Sequence, residues 1–365
     1  MIKAFIIRQK YWIFVSLTYL TLLSSTSLHH FYGVERTVSL SYFVESEETL
    51  KEHFPDMGIL IGLPIDTYWK KVWKLSSFSL DVQYYLIECA DINQGIPPYK
   101  YRILAPLIVH ILSSILQISA EMTFVLLNIF VTYLAAIFFN IYLLKDFNFS
   151  KNVSFIGGIL FVTMAAVTGT IPFPMLDPIS LLFSILIFIS VIRRNPYLFI
   201  FSSIAGVLSK EVLIIFSLMW FLETMQLNNK IKLLKNILIS ILPIIAFVSV
   251  RIALGGAAFE VEYGHNILKG EFPDLLKRLV DPGEIFYAFR RTFLSFSFVW
   301  IGIINIGKHD FFKRQIIIVP IVILATVVLS AQITRPLGIL FPIVIPMFLM
   351  FFERHIQTTK QIFRN

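Results

Sequence analysis

Along this chain, long apolar blocks alternate with short polar turns almost from end to end. Apolar runs occupy residues 11–28, 103–118, 122–144, 153–169, 178–192, 196–209, 212–227, 236–254, 292–306, 315–331 and 337–351. Runs of this length, lacking strand-like alternation, predict helices, and at about 20 residues per crossing they predict about 10–11 transmembrane helices. The expected fold is an all-α polytopic membrane protein, one transmembrane domain over residues 1–365. Two sizeable polar stretches interrupt the pattern, 29–100 and 255–290, both expected as external loops. Within the first, 54–66 and 68–74 set Trp and Lys beside apolar residues, the pattern of amphipathic interfacial helices whose indoles and lysine stems suit the headgroup layer.

Four of the runs are short, and they form two interrupted pairs. Residues 153–192 break at Ile171-Pro-Phe-Pro-Met-Leu-Asp177-Pro, and 196–227 break at Gly206-Val-Leu-Ser-Lys210-Glu211. A run of about 15 residues covers only ~22 Å of a ~30 Å hydrocarbon core. Charge is thereby placed at depth, where it is costly and is retained mostly when it faces a polar cavity. Short interrupted segments are also where membrane proteins tend to build their binding sites.

The cations orient the pattern. Lys3, Arg8 and Lys10 precede the first run, which assigns the N-terminus to the cytoplasm and reads as an uncleaved first span in preference to a signal peptide. Lys145/Lys151, Arg193-Arg194, Lys230/Lys232/Lys235, Lys308/Lys313/Arg314 and Arg354 fall at alternate turns and mark those as cytoplasmic too. Residues 29–100, 170–177, 255–290 and 332–336 are then external. One conflict arises: counting back from Lys145 through two spans puts the first loop inside. Either 103–118 is re-entrant or Lys145 and Lys151 mislead.

Composition narrows the class. The chain is 57% hydrophobic and 15% charged, with a mean hydropathy of +0.77, which excludes an ordinary soluble protein. Its net charge of +8 sits in short clusters at run ends, so the partner it points to is membrane lipid, not nucleic acid. A single cysteine, Cys89, excludes an internal disulfide, and the dispersed histidines show no metal-ligand spacing. No internal repeat is visible, which disfavours a transporter.

Candidate chemistry gathers around the end of the first loop and the two breaks. Asp81, Tyr84, Tyr85 and Glu88 share one helical face, either as a solvated amphipathic surface or as a general base at a cavity mouth lined by tyrosines. Asp91 follows in the same stretch. Tyr101-Arg102 stands directly before an apolar run, as an interfacial anchor or as a guanidinium fork for a phosphate. Asp177 before Pro178 either caps a helix or supplies a second acid, placed to orient an acceptor or carry an optional divalent ion. Lys210-Glu211 is a self-compensating pair or a functional one. Arg335 is an end anchor or a phosphate ligand.

Taken in order, these residues resemble the GT-C superfamily of integral-membrane glycosyltransferases. Asp81 with its tyrosines is similar to that superfamily's first-loop acid, and Lys100-Tyr101-Arg102-Ile-Leu-Ala-Pro106 resembles a Tyr-Arg-x-Leu-x-Pro run of small bacterial members. Met175-Leu-Asp177-Pro-Ile resembles the second-loop acid, and Gly206-Val-Leu-Ser-Lys210 resembles the Gly-x-x-x-Lys turn near the lipid phosphate. The resemblance covers about residues 1–230; a soluble C-terminal domain and the Asp-Glu pair of some members have no counterpart.

The resemblance implies an inverting hexosyl or pentosyl transferase in the inner (plasma) membrane, moving a sugar from a polyprenyl-phosphate carrier to a glycan, lipid or protein acceptor. Asp81 is then the base and Asp177 its supporting acid. Tyr84, Tyr85, Asp91, Tyr101, Arg102, Lys210, Glu211 and Arg335 are expected to bind substrate, with Arg102, Lys210 and Arg335 on the carrier phosphate. No cofactor is expected. The alternative reading is a polymerase of O-antigen or exopolysaccharide, which would handle lipid diphosphates.

Overall fold

The computed structural model describes residues 10–23, 85, 88–89, 101–167, 176–225, 230–254, 282–283, 286, 296–329 and 336–362. Every regular element among them is helical: α1 (Lys10–Leu23), α2 (Leu104–Leu116), α3 (Ala120–Asp146), α4 (Lys151–Val167), α5 (Asp177–Ile192), α6 (Pro196–Ser209), α7 (Ser217–Thr224), α8 (Lys230–Ala253), α9 (Asp310–Arg314), α10 (Ile318–Leu329) and α11 (Phe341–Ile362), with 3₁₀ segments at Glu211–Phe216, Ser297–Lys308 and Pro336–Leu340. These follow the apolar runs closely. Punctuation comes from familiar devices: Ser119 and Asn195 accept from Met122 and Leu198 N–H groups at two helix starts, and Pro178 and Pro196 stand in first turns.

Two helices, α3 and α8, are long and apolar enough to cross a membrane. At 27 and 24 residues they reach ~40 and ~36 Å, more than a hydrocarbon core requires. Helix α5 is the centre of the packing, buried along most of its length between α3 and α6. By contrast α8 turns Ile231, Leu234, Leu238, Ile241, Ile245 and Ile252 outward, a continuous apolar stripe at helical spacing.

The charged turns sort themselves to one end of the bundle. Asp146 at the end of α3 takes both prongs of Arg193 (2.8 and 2.9 Å). Glu223 on α7 joins Arg194 (3.2 Å) to Arg314 (2.8 Å). The Tyr11 hydroxyl donates to Lys151 carbonyl oxygen, and Phe147 stacks on Phe312. The start of α1 therefore shares an end with the 145–152 turn, as the cation pattern requires.

Helix α2 is confined to one part of the bundle. It leads directly into the start of α3, at the end of the bundle opposite Asp146, while Arg102 at its other end pairs with Glu211, which follows α6 at that same opposite end. Both ends of α2 thus lie on one half of the bundle. Its exposed side chains, Leu107, Ile111, Ile115 and Leu116, form an apolar stripe. The interfacial helices expected at 54–66 and 68–74, and almost all of loop 255–290, lie outside the described residues.

Candidate functional site

Opposite the Asp146 end, five segments remote in sequence bring charge together. The break between α6 and the next 3₁₀ segment is the hub: Lys210 is in extended conformation (φ −159°, ψ 120°), its N–H donating to Gly206 carbonyl at 2.8 Å and its own carbonyl accepting from Leu213 N–H at 3.1 Å. Gly206 allows this arrangement, because a Cβ there would press on Leu213 Cδ1 (3.0 Å) and Phe183 Cβ (3.3 Å) where α6 closes on α5. The close approach sets Lys210 over the first residue of α5, and its ammonium pairs with Asp177. Asp177 opens α5 as the acid of its first turn, with Pro178 directly after it, so the helix-start reading and the ion pair with Lys210 hold together.

Glu211 does not pair with its neighbour. Its carboxylate receives Arg102 through two parallel bonds, Nε to Oε2 at 2.7 Å and NH2 to Oε1 at 2.5 Å, while Arg102 NH1 donates to the Tyr85 hydroxyl. The Lys-Glu dipeptide is thus divided between two ion pairs, each tied to a different element, while the Lys210 charge still acts on Glu211. Arg102 and Asp177 are buried, whereas the side chains of Lys210 and Glu211 keep 12% and 17% exposure. An incoming group would reach the network at Lys210 and Glu211.

The turn carrying Tyr85, Glu88 and Cys89 packs on top. His110 Nδ1–H donates to Cys89 carbonyl oxygen at 2.8 Å, and the Tyr85 ring meets Phe124 on α3. Glu88 is 1% exposed and neither carboxyl oxygen has a hydrogen-bond partner. Burial pushes its carboxyl up to about 8, against the opposing pull of Arg102. Burial also pushes the Cys89 thiol up, in keeping with an inert cysteine.

Of the residues singled out in the sequence, Tyr85, Tyr101, Arg102, Asp177, Lys210 and Glu211 meet here. Asp81, Tyr84, Asp91 and Arg335 lie outside the described residues. Two members were not singled out as site residues. Arg251, buried in the last turn of α8, lies over the Tyr101 ring with its guanidinium carbon 4.6 Å from the centroid. The argument that marked Lys210-Glu211, an ionisable group inside an apolar run, applies equally to Arg251. Glu88 was legible only as a neighbour of Asp81 on a helical face.

Three cations and three carboxylates therefore share one end of the bundle, buried or nearly so, where they interact far more strongly than in water. Among the described residues no set of three His, Cys, Asp or Glu side chains is arranged to hold a metal ion. Starting three residues after Glu211, an apolar groove of about 410 Å³ runs between the 3₁₀ segment, α7, α8 and α10, lined by Ile214, Ile215, Phe221, Ile241, Ile244 and Ile321 among others. The molecule defined by these features is an all-α protein with two helices fit to cross a membrane and a buried ion-pair cluster at one end. No family model, curated protein or solved structure matches the chain.

Proposed function

We propose that the protein is a multi-pass membrane glycosyltransferase, moving a sugar from a polyprenyl-phosphate carrier to a glycan, lipid or protein acceptor at the outer face of the plasma membrane. The observation that carries this reading is the double ion pair, Arg102–Glu211 and Lys210–Asp177, with Arg251 buried over Tyr101, the neighbour of Arg102, and an apolar groove that starts three residues after Glu211. A lipid phosphate needs both parts: fixed cations for the head and an apolar channel for the chain. The outward stripes on α2 and α8 suit a lipid solvent, and the cation-rich end suits the cytoplasm, which leaves the cluster facing outward.

Cations held in place by carboxylates suit leaving-group stabilisation. As the acceptor oxygen bonds to the anomeric carbon, the bond from that carbon to the carrier phosphate breaks and its electron pair leaves on the phosphate. Lys210, the most accessible cation, with Arg102 and Arg251 behind it, would receive that charge without reorganising. The acceptor proton passes to a carboxylate, Asp81 in the first loop, with Asp177 fixing Lys210. A single displacement of this kind inverts the anomeric centre.

The test is transfer from labelled undecaprenyl-phosphate sugars by the full chain in proteoliposomes. Lys210→Ala and Arg251→Ala should each lower turnover by about 10–100-fold, the scale of one charge-assisted hydrogen bond of ~1.5–3 kcal/mol. Normal transfer by both variants, at normal expression, would reduce the cluster to a structural charge lock.

A further inference from the structure

Among the described residues, Glu88 is the one buried carboxyl of the cluster without a hydrogen-bond donor. Asp177 has Lys210 and Glu211 has Arg102, but both Glu88 oxygens are enclosed with nothing bound to them. Buried polar side chains without partners are rare in native proteins, and each asks for an explanation such as a ligand. Glu88 stands three positions after Tyr85 on one helical turn, so the two side chains share a face. That face looks onto the site, because the Tyr85 hydroxyl bonds Arg102 and the Arg102 charge acts on Glu88.

We infer that Glu88 is a ligand-binding residue that accepts hydrogen bonds from the hydroxyls of a sugar, placing a saccharide subsite between the 85–89 turn and the Arg102–Glu211 pair. A ligand's own donors would complete both oxygens, which no described protein group does. A carboxyl accepts two hydroxyl hydrogens at once, one on each oxygen. A phosphate matches this position less well, since it brings acceptors alone and could take only the proton that burial keeps on Glu88, whereas sugar hydroxyls both donate to the carboxyl and accept from it. Glu88 would therefore read the sugar while Lys210, Arg102 and Arg251 hold the phosphate.

The inference rests on the polyprenyl-phosphate reading, and the experiment separates the two. Binding of undecaprenyl phosphate, and of undecaprenyl phosphate bearing glucose, galactose or mannose, is measured on the full chain in nanodiscs. The wild-type protein should prefer at least one glycosylated carrier. Glu88→Ala should lower affinity for that carrier about 10-fold or more and leave the bare carrier unchanged; Glu88→Gln, which keeps one acceptor, should fall between. Lys210→Ala should weaken both carriers together. Melting of the ligand-free variants guards against misfolding: E88Q, which fills the same space and breaks no hydrogen bond among the described residues, should unfold no earlier than wild type, and its binding decides the matter if E88A is destabilised by the cavity it leaves. If E88A binds glycosylated and bare carrier as the wild type does, or loses both equally, the saccharide subsite is wrong while the lipid-phosphate reading stands. If the wild type binds no carrier at all, both fall.

Discussion

Arg102 and Glu211, separated by 109 positions, form a two-pronged ion pair at 2.7 and 2.5 Å that clamps the start of α2 to the break after α6. The bond closes the end of the first loop onto the core, and it explains why a glutamate stands inside an apolar run. A pair this buried contributes little net stability against a well-packed apolar substitute, but breaking it from one side strands a charge. It serves position more than strength.

The first prediction concerns that asymmetry. Glu211→Gln leaves the Arg102 guanidinium without its counter-charge and should destabilise the protein by about 3–5 kcal/mol, whereas the double replacement Arg102→Met, Glu211→Leu should recover most of that loss. Thermal unfolding in detergent across the double-mutant cycle measures it. Additive losses in the two single variants and the double would show that the pair is not coupled.

The helices were legible because their apolar runs are continuous: the run 178–192 is α5 to within a residue, and 196–209 coincides with α6. The two breaks were legible too, since Asp177 and Lys210-Glu211 are expensive in apolar surroundings. What could not be read was pairing. Spacing along the chain places Lys210 beside Glu211, and only the close approach of α5 and α6 at Gly206 shows that each turns to a different partner. Arg251 escaped notice because one arginine at the end of a run looks like an anchor; its burial against Tyr101 is a tertiary fact. Composition does not tell a crossing from an inclined helix at α2, whose 13 residues are apolar throughout while its two ends lie on one half of the bundle.

A second prediction tests how α1 is held. The Tyr19 hydroxyl accepts from Asn140 Nδ2 at 2.9 Å and lies directly against Gly158, where a Cβ would overlap it. Gly158→Ala should displace Tyr19, break that bond and cost about 1–3 kcal/mol by overpacking. Tyr19→Phe removes the colliding oxygen, so the double variant should be less destabilised than the two single losses combined. Full additivity in unfolding experiments would contradict this packing.

The third prediction is a pH dependence. Glu88 has its carboxyl pushed from 4.5 to about 8, mainly by burial, with Arg102 pulling the other way. Between those values the folded protein holds a proton that the unfolded chain has released, so the unfolded state binds fewer protons and stability falls as pH rises. The contribution of the neutral carboxyl is complete below about pH 4.5 and is lost progressively up to about pH 8, at a slope of ~1.4 kcal/mol per pH unit. Glu88→Gln removes the titration. Its melting temperature should therefore be less sensitive to pH between 5 and 8 than that of the wild type, and equal pH sensitivity of the two would show that Glu88 is ionised throughout.

The last prediction is topological and turns on α2. Helix α1 runs from the Lys151 end of the bundle to the other, and α3 returns to it, so the N-terminal end and the 145–152 turn share a side only if α2 does not cross. At 13 residues α2 reaches ~20 Å, short of a ~30 Å core, and its exposed Leu107, Ile111 and Ile115 suit a helix inclined in the outer half of the bilayer. Single cysteines replacing Lys10, Ile118, Lys145 and Lys313, all surface positions, can be placed in a Cys89→Ser background, Cys89 itself being buried. A membrane-impermeant maleimide should label position 118 in intact cells and positions 10, 145 and 313 only after permeabilisation. The decisive comparison is 10 against 118. Opposite sides mean that one crossing, α1, separates them; labelling of both from the same side would mean that α2 spans the membrane, and the ion-pair cluster would then lack the single outward face on which the carrier-phosphate reading depends.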